Sequence, residues 1–259
     1  MKQTLLILMA VALVGCGTTS SYTPDKPFIN TLGMKFVSVP GTKVAFCIWE
    51  TRVKDYAAYA AENAGVDARW KTPGVDPFLR FEQADTHPVV EVNLNDAQAF
   101  CAWLTKKESA AGKLKAGQRY RLPTDAEWSV AVGLSKENGN SPKEKDEGIK
   151  DVYPWGKEWP PPKGAGNYWE SLKVDNFERT SPVGTFAANA YGIHDLGGNV
   201  MEWCEDRYDP SAKNTYFTLR GASWHDDELD YMLSSSRFST GQAQNRYRYG
   251  GFRCVLADE

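Results

Sequence analysis

The residues best suited to chemistry lie in the last quarter of the chain, in DLGGNVMEWCEDRYD (195–209), RGASW (220–224) and YGGFRCV (249–255). Glycine pairs beside tryptophans and carboxylates indicate tight backbone turns held by large aromatic side chains. Such a segment forms either a ligand or metal site or the rigid core of a set of loops. The choice between these two decides the function.

Familiar catalytic motifs are absent from the sequence. There is no G-x-G-x-x-G, no P-loop, no H-E-x-x-H and no C-x-x-C. The three histidines, His87, His194 and His225, are far apart along the chain, which disfavours a zinc or iron centre. A Ser-His-Asp triad stays open, but no G-x-S-x-G marks a nucleophile.

The composition predicts one globular, loop-rich domain. The chain has 259 residues, with 9 Trp, 12 Tyr, 11 Phe, 22 Gly and 14 Pro, so irregular segments must be held by aromatic packing. The formal net charge of −3 gives no basic surface, and we expect no nucleic-acid partner.

The N-terminus predicts export and lipidation. Residues 4–14 are apolar but too few to span a membrane, and they end in Leu-Val-Gly-Cys (13–16), which resembles a bacterial lipobox. Residues 1–15 are then a lipoprotein signal peptide, Cys16 carries the lipid, and residues 16–27 form a flexible tether. A plain secretory signal with an incidental cysteine is the alternative. We therefore expect a lipid-anchored protein of the bacterial cell envelope, and Gly17 favours the outer membrane.

Outside the cytoplasm disulfides persist, and four cysteines remain for them: Cys47, Cys101, Cys204 and Cys254. Spacing alone leaves all three pairings open.

Regular elements are predicted mainly in the first half. Residues 28–41 and 43–51 alternate or run apolar as strands, and Thr51 is a plausible N-cap for a helix over 52–63. A short strand opens the stretch 89–112, in which Asn95 would cap a second helix.

A third helix has the clearest local signal. Thr124 and Glu127 form a T-x-x-E capping box, and Gly133 ends the helix. Residues 135–151 and 153–184 are predicted to be loops. The second contains Asn167 and Asp175, oxygen donors that suit calcium but that also form turns.

Five motifs in order, RLPTDAEW (121–128), YPWG (153–156), YGIHDLGGNVMEW (191–203), RGASW (220–224) and GGFRCV (250–255), resemble the formylglycine-generating enzyme family. This family is also called the sulfatase-modifying-factor domain. The resemblance implies an α+β, loop-rich, C-type lectin-like single domain over 28–259, with bound structural calcium.

The resemblance also implies two calcium sites. The first corresponds to the side chains of Asn167 and Asp175 and the carbonyls of Tyr168 and Phe177. The second corresponds to the side chains of Asp195 and Glu202 and the carbonyls of Gly198 and Val200. Alternatively, Glu202 only caps a turn or forms a salt bridge.

The family pairs a helix cysteine with the cysteine of its GFRC motif, which here are Cys101 and Cys254. Such a disulfide would join the central helix to the C-terminal strand. Cys47 and Cys204 have no such implied pairing.

The family's oxidase chemistry uses two further cysteines that bind copper(I) and oxidise a substrate cysteine. The corresponding loop, 225–251, contains no cysteine, and the matching positions fall near Asp226 and Leu229. Neither side chain is a soft copper ligand, so copper is not expected. A single nearby thiol, Cys204, cannot replace the pair.

We therefore predict non-catalytic binding of a protein, peptide or glycan through this loop. Tyr and Arg are favoured at recognition surfaces, because they bury large areas with few rotatable bonds and have polar tips. The predicted ligand-binding residues are Trp224, His225, Asp226, Asp227, Tyr231, Arg237, Tyr247 and Tyr249, and Arg248 belongs to the same polar set. The alternatives are an ordinary solvated loop, a structural envelope protein, and a formylglycine-generating-type or metal-dependent oxidase acting on a protein cysteine or small molecule.

Overall fold

The computed structural model describes residues 21–74, 79–134 and 136–258. The predicted signal peptide, Cys16 and the start of the tether lie outside these residues. Within the described part, no helix is long and apolar enough to cross a membrane.

The first sheet has five antiparallel strands in the order β1-β2-β3-β9-β4. The strands are β1 (Phe28–Ile29), β2 (Lys35–Ser38), β3 (Val44–Cys47), β4 (Gln118–Arg121) and β9 (Val255–Asp258). Strand β9 lies between β3 and β4, with Phe46 opposite Val255 and Tyr120 opposite Leu256.

The second sheet has four strands in the order β7-β6-β5-β8. They are β5 (Met201–Arg207), β6 (Tyr216–Arg220), β7 (Phe238–Gln242) and β8 (Gly250–Gly251). Strands β5 and β8 pair in parallel, with Glu202 opposite Gly251. The predicted loop 225–251 therefore contains two strands, and it also contains a short 3-10 helix, Asp230–Met232.

Helix α2 (Leu94–Ala110) packs against β4 of the first sheet, and α1 (Val53–Glu62) packs against α2. Helix α1 begins after Arg52 rather than Thr51, because Thr51 is extended: its N–H donates to the carbonyl of Phe252 (2.8 Å) and its carbonyl accepts from Val89 (2.8 Å).

Helix α2 is capped by Asn93, so the predicted cap at Asn95 was wrong. The Asp96 N–H donates to Asn93 Oδ1 (2.9 Å), and Asp96 Oδ2 accepts from the Asn93 N–H (3.1 Å). This reciprocal pair fixes the start of the helix. The short strand predicted at its N-terminal side does not form among the described residues.

The third predicted helix, α3 (Asp125–Val132), is confirmed with its capping box. Thr124 Oγ1 accepts from the Glu127 N–H (3.1 Å), and Gly133 ends the helix at φ +102°. One further turn, α4 (Pro142–Lys145), lies in the predicted loop 135–151. The predicted loop 153–184 is confirmed, since it holds only the 3-10 turn Glu170–Leu172. The mixed, loop-rich architecture agrees with the prediction.

Candidate functional site

Four half-buried rings form a row on the surface of the 225–251 segment. The ring centroids of Trp169 and His225 are 4.9 Å apart, those of His225 and Tyr249 are 5.6 Å apart, and those of Tyr249 and Tyr247 are 5.3 Å apart. The two last pairs are stacked, at 28° and 22°. We call these four residues the aromatic row. Trp169 was not predicted, because it lies far from the others in sequence.

A tight turn positions the aromatic row. Ser223 Oγ donates to Asp226 Oδ2 (2.6 Å) and accepts from the His225 N–H (3.2 Å). The Trp169 N–H donates to the carbonyl of Asp226 (3.1 Å), which joins the two loops. Burial raises the pKa of Asp226 to about 6, although Ser223 opposes the shift.

Trp224 supports the row from below. Its side chain is 1% exposed, and its indole N–H donates to the carbonyl of Arg248 (3.3 Å). Its ring meets His225 edge-on at 5.3 Å and Phe81 at 5.9 Å. Because the indole is buried, Trp224 forms the wall of the site rather than the contact surface that the sequence suggested.

Arg237 does not belong to this surface, which corrects its prediction as a ligand-binding residue. Its side chain is fully buried and pairs with Asp125 (3.0 Å) and Glu137 (2.7 Å). Arg220, also fully buried, pairs with the same Asp125 (2.5 Å), and Ser129 accepts from both arginines at 3.0 Å. We call these residues the Asp125 group.

The other predicted residues lie at the edge of the segment. Asp227 is exposed and accepts from Ser171 Oγ (2.6 Å). Tyr231 is 45% exposed, with its ring 6.2 Å from that of Phe238. In the described residues the ring of Tyr231 does not contact the aromatic row, and we take the row as the centre of the candidate site.

The residues of the first predicted calcium site lie together. The Tyr168 and Phe177 N–H groups donate to the Asp175 carboxylate at 3.0 and 2.8 Å. Asn167 is fully buried, and its amide nitrogen donates to the carbonyl of Arg179 (2.8 Å). Its Oδ1 has no hydrogen-bond partner among the described residues. A free, buried amide oxygen near a carboxylate suits a calcium ion.

At the second predicted calcium site, Glu202 forms a salt bridge. Both of its carboxylate oxygens accept from Arg253, at 2.6 and 2.7 Å, and Trp128 donates a third hydrogen bond (3.0 Å). Asp195 accepts from the Gly184 N–H (2.7 Å) through Oδ2, whereas its buried Oδ1 has no partner in the described part of the chain. Of the two side chains predicted to bind calcium there, only Asp195 keeps a buried oxygen without a partner in the described residues.

A further buried carboxylate lies near Asp195, and sequence reasoning missed it. Glu50 is fully buried: its Oε2 accepts from the Asn199 amide (3.0 Å), and its Oε1 has no described partner. Burial, and then the charge of Asp195, raise the pKa of Glu50 well above its ordinary value. Asn199 also accepts from Asn167 (3.2 Å). We call Glu50, Asn167, Asp195 and Asn199 the Asn199 group.

Access and composition of this region limit what it could bind. Asp195 borders a surface cleft of about 330 Å³, lined also by Trp155 and Asn189. In the residues that the structure describes, no three His, Cys, Asp or Glu side chains come close enough to hold a metal. A cation there would depend on carbonyl and amide oxygens, as calcium can.

The four remaining cysteines are buried thiols. The sulfur atoms of Cys101 and Cys254 are 3.5 Å apart, so the two residues predicted to form a disulfide are neighbours in the core. Burial raises the pKa of Cys47 to about 12 and that of Cys204 well above its ordinary value. Thiols that resist ionisation are poor nucleophiles and poor metal ligands.

Comparison with known proteins identifies the family. The model of the sulfatase-modifying factor enzyme 1-like domain matches residues 26–258, and the chain belongs to this family. It is 35% identical over 200 residues to the inactive C-alpha-formylglycine-generating enzyme 2 of Bos taurus. The matched part covers 73% of this chain and 56% of that protein. It is 33% identical over 215 residues to the formylglycine-generating enzyme of Thermomonospora curvata, covering 74% and 57%.

The chain thus spans just over half the length of these curated relatives. Among solved structures, that of PvdO from Pseudomonas aeruginosa is similar, with a TM-score of 0.61, 21% identity, and coverage of 90% of this chain and 99% of that one. This similarity confirms the predicted α+β, C-type lectin-like fold.

Proposed function

We propose that this chain is a non-catalytic, ligand-binding member of the family, which presents the aromatic row to a protein, peptide or glycan. The observation that carries the proposal is the row itself: four partly exposed rings lie in and beside a segment, 225–251, that contains no cysteine. Stacked rings offer large contact areas with few rotatable bonds.

The chemistry of the thiols supports a non-catalytic function. The family resemblance implies a copper-binding cysteine pair, and the residues near the corresponding positions are Asp226 and Leu229. The described cysteines are all buried, and Cys204, which lies nearest in sequence to the predicted second calcium site, has a raised pKa. The similarity to a relative named inactive agrees with this proposal.

Calcium would have a structural function here. The side chains of Asn167 and Asp175 and the carbonyls of Tyr168 and Phe177 would hold one ion, which would supply a fixed positive charge to the loop 153–184. In that position these residues fix the backbone that carries Trp169, the first ring of the aromatic row.

Membrane attachment is the third part of the proposal. A lipid on Cys16 would hold the domain at the bacterial outer membrane. Incorporation of labelled palmitate into the wild type, and its loss in Cys16→Ser, is the expected result. Equal labelling of both proteins would contradict the lipidation site.

A binding screen on immobilised glycans and peptides tests the ligand-binding proposal. We expect His225→Ala combined with Tyr247→Ala to abolish binding of the ligands that the wild type retains. Trp159→Ala is the matched control, because Trp159 is 36% exposed and packs against Tyr153, outside the row. Unchanged binding by the double variant would overturn the site assignment.

Metal analysis and a cysteine-oxidation assay test the non-catalytic part. We expect calcium without copper or iron, and no oxygen consumption with a cysteine-containing peptide. Stoichiometric copper or iron, or oxygen consumption, would favour the oxidase alternative.

A further inference from the structure

Two guanidinium groups lie against the same buried indole, beneath the aromatic row. The Cζ atom of Arg179 is 4.9 Å from the centroid of Trp224, and that of Arg248 is 5.6 Å from it. The two arginines come from distant parts of the chain: Arg179 lies in the loop 153–184 and Arg248 in the segment 225–251. Both positive charges also act on His225, since Arg248 and Arg179 each lower its pKa, and an anion bound beside them would be favoured electrostatically.

One buried nitrogen of Arg248, Nη1, has no hydrogen-bond partner among the described residues. Its Nη2 lies 3.0 Å from His225 Nε2, and because a guanidinium only donates, His225 accepts there and holds its proton on Nδ1. A buried N–H without an acceptor is unfavourable, and a bound oxygen would relieve it.

The nearby acids do not supply that oxygen. Asp226 accepts from Ser223 and Asp227 accepts from Ser171, both at 2.6 Å. Across residues 21–74, 79–134 and 136–258, neither Asp forms a salt bridge with Arg179 or Arg248. The guanidinium of Arg179 donates to the carbonyl of Glu178 (2.6 Å), which carries no charge.

We infer that Arg248 and Arg179 form a subsite for a carboxylate group, carried by a ligand whose flat body stacks on the aromatic row. This inference rests on the proposed function and names the chemistry of its ligand. The planar fork of an arginine matches the two oxygens of a carboxylate. A singly charged group is favoured over a phosphate dianion because Asp227 contributes negative charge at the edge of the site.

The state of His225 supports this inference. Its pKa is lowered first by burial and then by Arg248 and Arg179, while Asp227 opposes the shift. A carboxylate bound between the arginines would offset their charge. The pKa of His225 must then rise when the subsite is filled, which a purely structural arginine pair would not produce.

Benzoate and benzamide form a matched pair of probes, because they share one shape and differ in charge. By titration calorimetry we expect benzoate to bind the full chain at least 10-fold more tightly than benzamide. Arg248→Gln should weaken benzoate binding at least 10-fold, whereas Arg69→Gln, which removes an exposed arginine paired with Asp67, should leave it unchanged. Equal binding of the two probes, or unchanged binding by a folded Arg248→Gln, would overturn the inference.

A second measurement covers the case in which Arg248→Gln fails to fold. Proton NMR of His225 in the wild type should show a higher pKa with saturating benzoate than with benzamide. An unchanged pKa would also overturn the carboxylate subsite.

The two proposals can fail separately. If variants of the aromatic row abolish ligand capture but Arg248 has no effect on benzoate, the binding function stands and the carboxylate subsite falls. If benzoate binding depends on Arg248 while variants of the row leave ligand capture unchanged, the subsite stands and the proposed binding site falls.

Discussion

The Asp125 group and the Asn199 group are both buried and both ionic, yet they are satisfied in opposite ways. In the Asp125 group, two arginines face two carboxylates, and burial, which would raise the pKa of Asp125, is outweighed by Arg220 and Arg237, so the pKa is lowered. In the Asn199 group, Glu50, Asn167 and Asp195 each keep an oxygen without a described partner.

The difference shows two ways in which one domain holds buried carboxylates: paired with arginines, or with oxygens left unpaired. The Asp125 group is complete with protein atoms and joins α3 to the segment before β7. The Asn199 group has donors missing: burial raises the pKa of both Glu50 and Asp195, and the charge of Asp195 raises that of Glu50 further. Such an arrangement is stable only if a proton or a cation supplies positive charge. Calcium, which we propose for the adjacent loop, is one such cation.

The largest effect on stability is expected when the Asp125 group loses its shared carboxylate. Asp125→Asn leaves Arg220 and Arg237 short of negative charge in the core, and removal of one partner from a buried pair costs about 3–5 kcal/mol. Urea unfolding at neutral pH measures it. Lys107→Ala, which removes a surface pair with Glu62, is the control and should change little. A loss equal to that of the control would contradict the structural importance of the Asp125 group.

The second prediction concerns calcium, which would supply positive charge at the Asn199 group. If calcium binds the folded state, at 100 times its Kd it stabilises by about 2.7 kcal/mol. We expect the Tm to fall on addition of EGTA, and Asn167→Ala to remove most of this dependence. Lys107→Ala should keep the full calcium response. A Tm of the wild type that is independent of calcium would refute the calcium sites.

The smallest effect is a difference in pH dependence without calcium. Because Glu50 has a pKa above its ordinary 4.5, the folded state binds its proton more tightly, so stability must fall as pH rises through and above that value. Glu50→Gln should flatten this fall, measured by urea unfolding in EGTA. Exposed Glu228→Gln is the control. If Glu50→Gln and the wild type gave the same dependence of stability on pH, the buried, unpaired state of Glu50 would be contradicted.

Local features of this fold were predictable from sequence, whereas long-range pairing was not. The capping box at Thr124 and Glu127 needs only four residues, and it was placed correctly. The start of α2 was misplaced because Asn93 and Asn95 are equally good caps, and only the position of Asp96 favours the first.

The site was predicted in part for the same reason. His225, Tyr247 and Tyr249 lie close in sequence and were found together. Arg237 looks identical to a surface arginine until Asp125, 112 residues away, is brought against it. Glu50 gave no signal, since its hydrogen-bond partner Asn199 lies 149 residues further along the chain.

Strand β9 lies inside the five-stranded sheet rather than at its edge, with β3 on one side and β4 on the other. Neither neighbour can complete its hydrogen bonds until residues 255–258 have been synthesised. The sheet therefore closes only after the ribosome has finished this segment, and the many distant pairings predict slow folding. Tags fused after β9 must leave it free to enter the sheet, whereas β1, which lies at an edge of the sheet, can bear an N-terminal extension.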